Sequence, residues 1–163
     1  MRPKARYIAA LGRLQRLPKT TAGVPPNTEE NVPMINMAEA ERVLQAAKKK
    51  ALEMGVKVGI SVVDARGDLV AMIRLDGALW RTAPVSRGKA YASAAFGVPS
   101  AELTERANNP VMRALMQMED GQIIPQQGAV PIKRGNELIG AIGVSGASSQ
   151  EDEEIARAGL AAL

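Results

Sequence analysis

The sequence predicts an α+β domain, an antiparallel sheet with helices packed on it, and three observations carry the prediction. Two stretches of alternating apolar residues, 56–74 and 129–144, each contain a tight polar turn, which is the pattern of a β-hairpin. Each hairpin is followed by a segment with helix-start and helix-stop residues, and a further amphipathic helix precedes the first. The order helix, hairpin, helices, hairpin, helix gives no parallel crossover, so the strands form one layer and the helices cover it.

The elements follow in order. Asn36 can cap a helix, with Glu39 three positions on completing a capping box. Ala38, Val43, Leu44, Ala47, Ala51 and Leu52 give that helix an apolar stripe as far as Met54. Gly55 stops it, and Lys48, Lys49 and Lys50 sit near its negative end as a solvated face. Val56, Val58, Ile60 and Val62 alternate with Lys57, Gly59 and Ser61 as a strand. Asp64-Ala-Arg-Gly-Asp68 is the turn, with Asp64 and Asp68 hydrogen-bonding its backbone, and residues 69–74 return. After the break at Asp76-Gly-Ala78, a helix is expected from Pro84 to Phe96, because proline suits a first turn and Gly97 with Pro99 is a firm stop.

Ser100 is expected to cap a short helix ending before Asn108-Asn-Pro110, and residues 111–118 form another, with Met112, Met116 and Met118 as core filler. Residues 119–128 carry turns only. Strand 129–133 and the turn Arg134-Gly-Asn-Glu137 lead into strand 137–144, apolar on both faces and therefore central. Gly140 and Gly143 leave its backbone open to close approach by a helix or a ligand. Ser145-Gly-Ala-Ser-Ser149 feeds the last helix, with Ser149 as its expected cap and Glu151-Asp-Glu-Glu154 at its positive end.

Residues 34–163 thus make one domain, and residues 1–33 stand apart as a basic, proline-containing arm. Six Lys/Arg against two Glu in the arm account for the whole net charge of +4, so the domain is electrically neutral. Residues 24–33 read as a linker, and residues 5–17 can form a short helix with Tyr7, Ile8, Leu11 and Leu14 on one face. The arm is open to several readings: a loosely docked extension, a tether for nucleic acid or another acidic surface, a transit-type leader, a clasp for a second copy, or a stretch upstream of a start at Met34 or Met37. Nucleic acid is expected only through this arm. No apolar run approaches the roughly 18 residues that span a bilayer, so a soluble, cytoplasmic protein is expected.

Absences narrow the chemistry. With no Cys, there are no disulfides, thiol nucleophiles or thiolate metal sites. With no His, the commonest general base, metal ligand and heme axial ligand are missing, so no metal centre is expected.

The run from Val63 to Ala78, with an Asp–Gly turn and the exit Arg74-Leu-Asp-Gly-Ala78, is followed by a helix bearing Lys89-Ala-Tyr91. Together with Gly128-Ala-Val-Pro131 and Gly140-Ala-Ile-Gly-Val-Ser-Gly146, it resembles the GlcG/HbpS-like heme-binding family, which includes the C-terminal domain of PduO-type proteins. The resemblance covers residues 36–163 and implies a profilin-like fold, assembly into a homo-oligomer, and a heme or other tetrapyrrole ligand. Some members degrade heme.

Six residues are singled out for ligand binding: Arg74, Asp76, Arg87, Lys89, Gly128 and Ser145. Arg74 and Arg87 can grip a carboxylate through paired N–H donors. Asp76 and Lys89 either converge on one concavity or form an ordinary salt bridge. Gly77, Gly128 and Gly146 are read as positive-φ corners, and Ser145 can present its hydroxyl or amide to an anion. Heme would have to bind without a His or Cys axial ligand, leaving Tyr7, Tyr91 or a Met. The pair Glu151 and Glu154 can attract iron weakly or serve the helix end.

The expected function is a small-ligand-binding protein for heme, another tetrapyrrole or an organic acid. The alternatives are a small enzyme of lyase, isomerase or hydrolase type using Lys89 as base or Schiff-base donor, with Asp76 and Arg87 orienting a carboxylate, and a structural or regulatory accessory with no small ligand.

Overall fold

The computed structural model describes residues 34–163; the expectations for residues 1–33, the short basic helix and Tyr7 among them, lie outside the described residues. Nine elements follow one another: α1 (Met37–Glu53), β1 (Gly59–Asp64), β2 (Leu69–Arg74), α2 (Thr82–Phe96), α3 (Ala101–Thr104), α4 (Pro110–Met118), β3 (Ala129–Arg134), β4 (Glu137–Ser145) and α5 (Ser149–Leu160). The strands form one antiparallel sheet in the order β2-β1-β4-β3, so the two hairpins meet edge to edge through β1 and β4. This is the expected α+β arrangement.

The two faces of the sheet differ in side-chain size, and that difference places the helices. Ile60, Val62, Ile142 and Val144 are fully buried beneath α1 and α5, each burial stabilising by about 1.5–3 kcal/mol. The opposite face is lined by Gly59, Ser61, Val63, Ala141 and Gly143, and α2 lies on it with its own small residues Ser86, Ala90 and Ala94. A Cβ on Gly143 would stand 2.2 Å from the Ser86 carbonyl oxygen and 2.7 Å from the Ala90 nitrogen, and one on Gly59 would stand 2.7 Å from the Thr82 carbonyl. The partner that approaches Gly143 is therefore a helix backbone. Ser61 and Ser86 share a buried hydrogen bond of 2.7 Å across this contact.

Local signals hold in most places. The Asn36–Glu39 capping box forms in both directions, and Asp64 Oδ1 accepts from the amides of Arg66 and Asp68. Corrections are few. β1 starts at Gly59, although the Val58 carbonyl still accepts from the Leu75 amide. Ala38 and Leu52 are exposed, and Ala40 takes the stripe position instead. Helix α2 begins at Thr82, two residues before Pro84, and Arg81 at its cap makes no side-chain hydrogen bond. Ser100 does not cap α3: its hydroxyl accepts from the Ala129 amide at 2.9 Å and so ties that corner to β3. Ser148 rather than Ser149 caps α5, paired with Glu151 in a capping box. Met112 is buried, whereas Met118 is exposed.

Candidate functional site

The six residues singled out from sequence divide among three hollows. Arg74 and Asp76 border the first, about 470 Å³, between α1 and the end of β2. Arg87 borders the second, about 380 Å³, on the outer flank of α2. Lys89 and Ser145 border the third, about 320 Å³, and Gly128 packs against its Lys89–Asp152 floor. Asp76 and Lys89 therefore do not converge, and Arg87 faces a different hollow from either. The lysine's partner is Asp152.

Residue by residue, the third hollow forms as follows. Lys89 lies on the face of α2 that meets the sheet, and its Nζ donates to Asp152 Oδ2 at 2.8 Å and to the Val144 carbonyl at 3.1 Å. Both side chains of the pair are 3% exposed. Asp152 Oδ1 accepts from the Ala147 amide at 3.0 Å. Burial pushes the Asp152 carboxyl above its ordinary value, and the hydrogen bond and charge of Lys89 pull it back down without cancelling the rise. Gly128, at φ +129°, leaves room for this pair, since a Cβ there would stand 2.7 Å from Lys89 Nζ. Gly77 and Gly146, at φ +77° and +138°, turn the chain around the same hollow. Gly77 and Gly146 thus line the hollow with Lys89, and Gly128 packs directly against the lysine.

The α5 N-terminus is capped by its own side chains. Glu151 accepts from the Ser148 amide and hydroxyl, Ser148 accepts from the Glu151 amide, and Asp152 holds Ala147. Ser145 is half-buried at the end of β4 and lines the hollow. Glu151 serves the cap and Glu154 pairs with Lys50 at 2.7 Å, so the two acids do not act as one metal site. Among the described residues no cluster of carboxylates could hold a metal ion, and no buried side-chain nitrogen or oxygen lacks a hydrogen-bond partner.

The second hollow has a different character. Its apolar lining comes from Met72 of β2, Pro84 and Val85 of α2, and Ile124 of the loop before β3, and its polar lining from Arg87, Tyr91, Asp120 and Gln122. The Tyr91 hydroxyl donates to Glu119 Oε2 at 2.7 Å, and this bond, with burial adding to it, raises the phenol above its ordinary value. Arg74, beside the first hollow, donates to the Ala78 carbonyl and so braces the loop after β2.

Asp152, Lys57 and Arg81 are the site residues that spacing did not reveal. Asp152 carried a readable sign, for it falls on the same buried stripe of α5 as Ile155, Ala156 and Gly159. A carboxylate on an apolar stripe implies a buried cationic partner.

Comparison with known proteins agrees with this architecture. The chain is 31% identical over 135 residues to a 15.0 kDa protein encoded in the dhaT-dhaS intergenic region of Citrobacter freundii, covering 82% of this chain and 95% of that one. It is 27% identical over 141 residues to the corrinoid adenosyltransferase PduO of Salmonella typhimurium, covering 85% of this chain but only 42% of that protein. Among solved structures, protein ORFY of Klebsiella pneumoniae superposes with a TM-score of 0.76 at 29% identity, covering 83% of this chain and 94% of that one. The PduOC:heme complex superposes with a TM-score of 0.72 at 26% identity, covering 80% and 95%. The family model described as haem degrading protein HbpS-like matches residues 35–161, and the chain belongs to the HbpS-like family.

Proposed function

We propose that this chain is a small-ligand-binding protein whose principal ligand is heme or a related tetrapyrrole, taken up at the outer flank of α2. The observation that carries the reading is the second hollow: largely apolar walls suit a flat hydrophobic ring, and Arg87 offers a guanidinium for its carboxylate arms, which must lie away from Asp120 in the same lining. The likeness to a protein solved as a heme complex supports it.

The residues present fit such a ligand in a particular way. Arg87 would take a carboxylate arm through paired N–H donors, and Pro84, Val85 and Ile124 would flank the ring. Met72, Tyr91 and Asp120 are the groups in this hollow able to meet iron, and the Tyr91 proton is already held by Glu119. Capture by shape and charge, with a weak axial bond or none, follows from that. Bound heme would supply a redox-active iron at this surface. A hollow of about 380 Å³ lies near the small end for ligand sites, so a macrocycle would remain partly uncovered and a second copy of the chain would cover the rest.

The enzymatic alternative draws less support. Lys89 Nζ is engaged by Asp152 and the Val144 carbonyl, and Asp76 and Arg87 stand in other hollows. The test of the main reading is a hemin titration of the full chain followed by absorbance. A saturable Soret shift at one equivalent is expected; a spectrum equal to free hemin throughout would overturn it.

A further inference from the structure

The third hollow carries a charge arrangement that tetrapyrrole binding leaves unused. Lys57 and Arg81 stand at its edge, both exposed, and among the described residues neither has an acidic side chain within salt-bridge distance. The hollow's own carboxylate, Asp152, is already committed to Lys89 and to the Ala147 amide. Lys57, Arg81 and Lys89 therefore outweigh it, and the field inside is positive. Asp76 borders the neighbouring hollow, which shares Lys57 with this one, but does not come within salt-bridge distance of that lysine.

Space and polarity point the same way. Gly77 and Gly146 let the walls close tightly on Lys57, since a Cβ would stand 3.2 Å from its Nζ and 2.5 Å from its carbonyl oxygen respectively, so the hollow is small and firmly bounded. Most of the exposed lining is polar, with Gln126 and Ser145 adding donors, which disfavours a large apolar ring. At about 320 Å³ the cavity is near the lower limit for ligand sites and suits a molecule of few heavy atoms.

We infer that this hollow is a binding site for a small organic carboxylate, separate from the tetrapyrrole site and independent of it. Arg81 grips the carboxylate with paired N–H donors, and Lys57 neutralises it from the other side. The Lys89–Asp152 pair forms a fixed, internally neutral floor. Selection among acids then falls to the rim and to Gln126 and Ser145.

The experiment is calorimetric titration of the full chain with malonate at constant ionic strength, with chloride and inorganic phosphate as parallel titrants. One saturable site per chain is expected for malonate, weakened at least tenfold in Arg81→Ala and in Lys57→Ala and changed less than twofold in Arg87→Ala. Both rim residues are exposed, so the variants should keep the wild-type circular dichroism. Trp80, the chain's single tryptophan and 76% exposed beside Arg81, gives a second readout by fluorescence. No saturable heat with malonate, equal binding by Arg81→Ala and Lys57→Ala, or binding of phosphate in preference to malonate would each overturn the assignment. Loss of hemin binding in Arg87→Ala would leave it standing.

Discussion

Lys89 Nζ and Asp152 Oδ2 lie 2.8 Å apart, each on a side chain 3% exposed, although 63 residues separate them in the chain. The pair joins α2 on one face of the sheet to α5 on the other, around the end of β4, where Lys89 also bonds the Val144 carbonyl. It is therefore a cross-layer tie as well as the floor of a hollow.

Removing one partner leaves the other charge buried alone. Lys89→Met is expected to lose about 3–5 kcal/mol in urea unfolding, whereas the double change Lys89→Met with Asp152→Leu should recover most of that loss. A single-variant loss below about 1 kcal/mol would show that water reaches the pair.

Acid response should have two opposing parts. Asp152 is raised from its ordinary 3.8, so between that value and its folded one the native state keeps a proton that the unfolded chain has released. Its contribution is full at the acid end of that window and is lost as pH rises through the raised value. Comparing wild type with Asp152→Asn, the gap should move in the variant's favour across that rise. Glu39 and Glu151 behave oppositely. The Asn36 amide and Ser148 respectively hold them below the ordinary 4.5, so their stabilisation is full above 4.5 and disappears as pH falls through the lowered values. Glu151→Gln should thus flatten the loss of stability between pH 6 and pH 3, read from thermal midpoints, and an unchanged slope would contradict the cap geometry.

Gly143→Ala should be among the most damaging single-methyl changes. The new carbon would meet the backbone of α2 at 2.2 Å, and no flexible side chain is there to give way. A loss of about 3 kcal/mol or more is expected. Gly135→Ala, at φ +61° with open space around it, should cost only the backbone strain of about 1–2 kcal/mol. Equal urea midpoints for the two variants would refute this packing.

For hemin, Arg87→Ala should weaken binding about tenfold, the worth of a charge-assisted carboxylate contact. Tyr91→Phe should alter the affinity little, because its hydroxyl is engaged with Glu119. A large spectral change in Tyr91→Phe would instead identify the phenol as an iron ligand.

What could be read from sequence was chiefly local. The alternation of Val58, Ile60 and Val62 and of Leu138, Ile142 and Val144 located the sheet, and the Asn36–Glu39 spacing located a cap. Ser100 and Ser149 misled because a hydroxyl before a helix has more than one available partner: Ser100 serves β3, and the adjacent Ser148 has the geometry to cap. Arg74, Asp76, Arg87 and Lys89 stand out in the sequence as charged groups at strand and helix positions, yet their grouping depends on which flank of the sheet each one leaves. Two residues of helical rotation, about 200°, separate Arg87 from Lys89 and place them on opposite sides of α2, and the sequence pattern alone does not say which side faces which hollow. The partnership of Lys89 with Asp152 is a long-range fact.

The contact between α2 and the sheet has an evolutionary meaning as well. Helix and strand meet backbone to backbone at Gly59 and Gly143, with no layer of long side chains between them to reshuffle. A wall of that kind cannot drift by small steps, because nearly every added carbon collides. The concavities on its two flanks, one floored by Lys89 and the other edged by Arg87, consequently inherit a rigid chassis and begin already formed. Descendants of this sequence can exchange rim residues and so trial new cargo while the frame beneath stays the same.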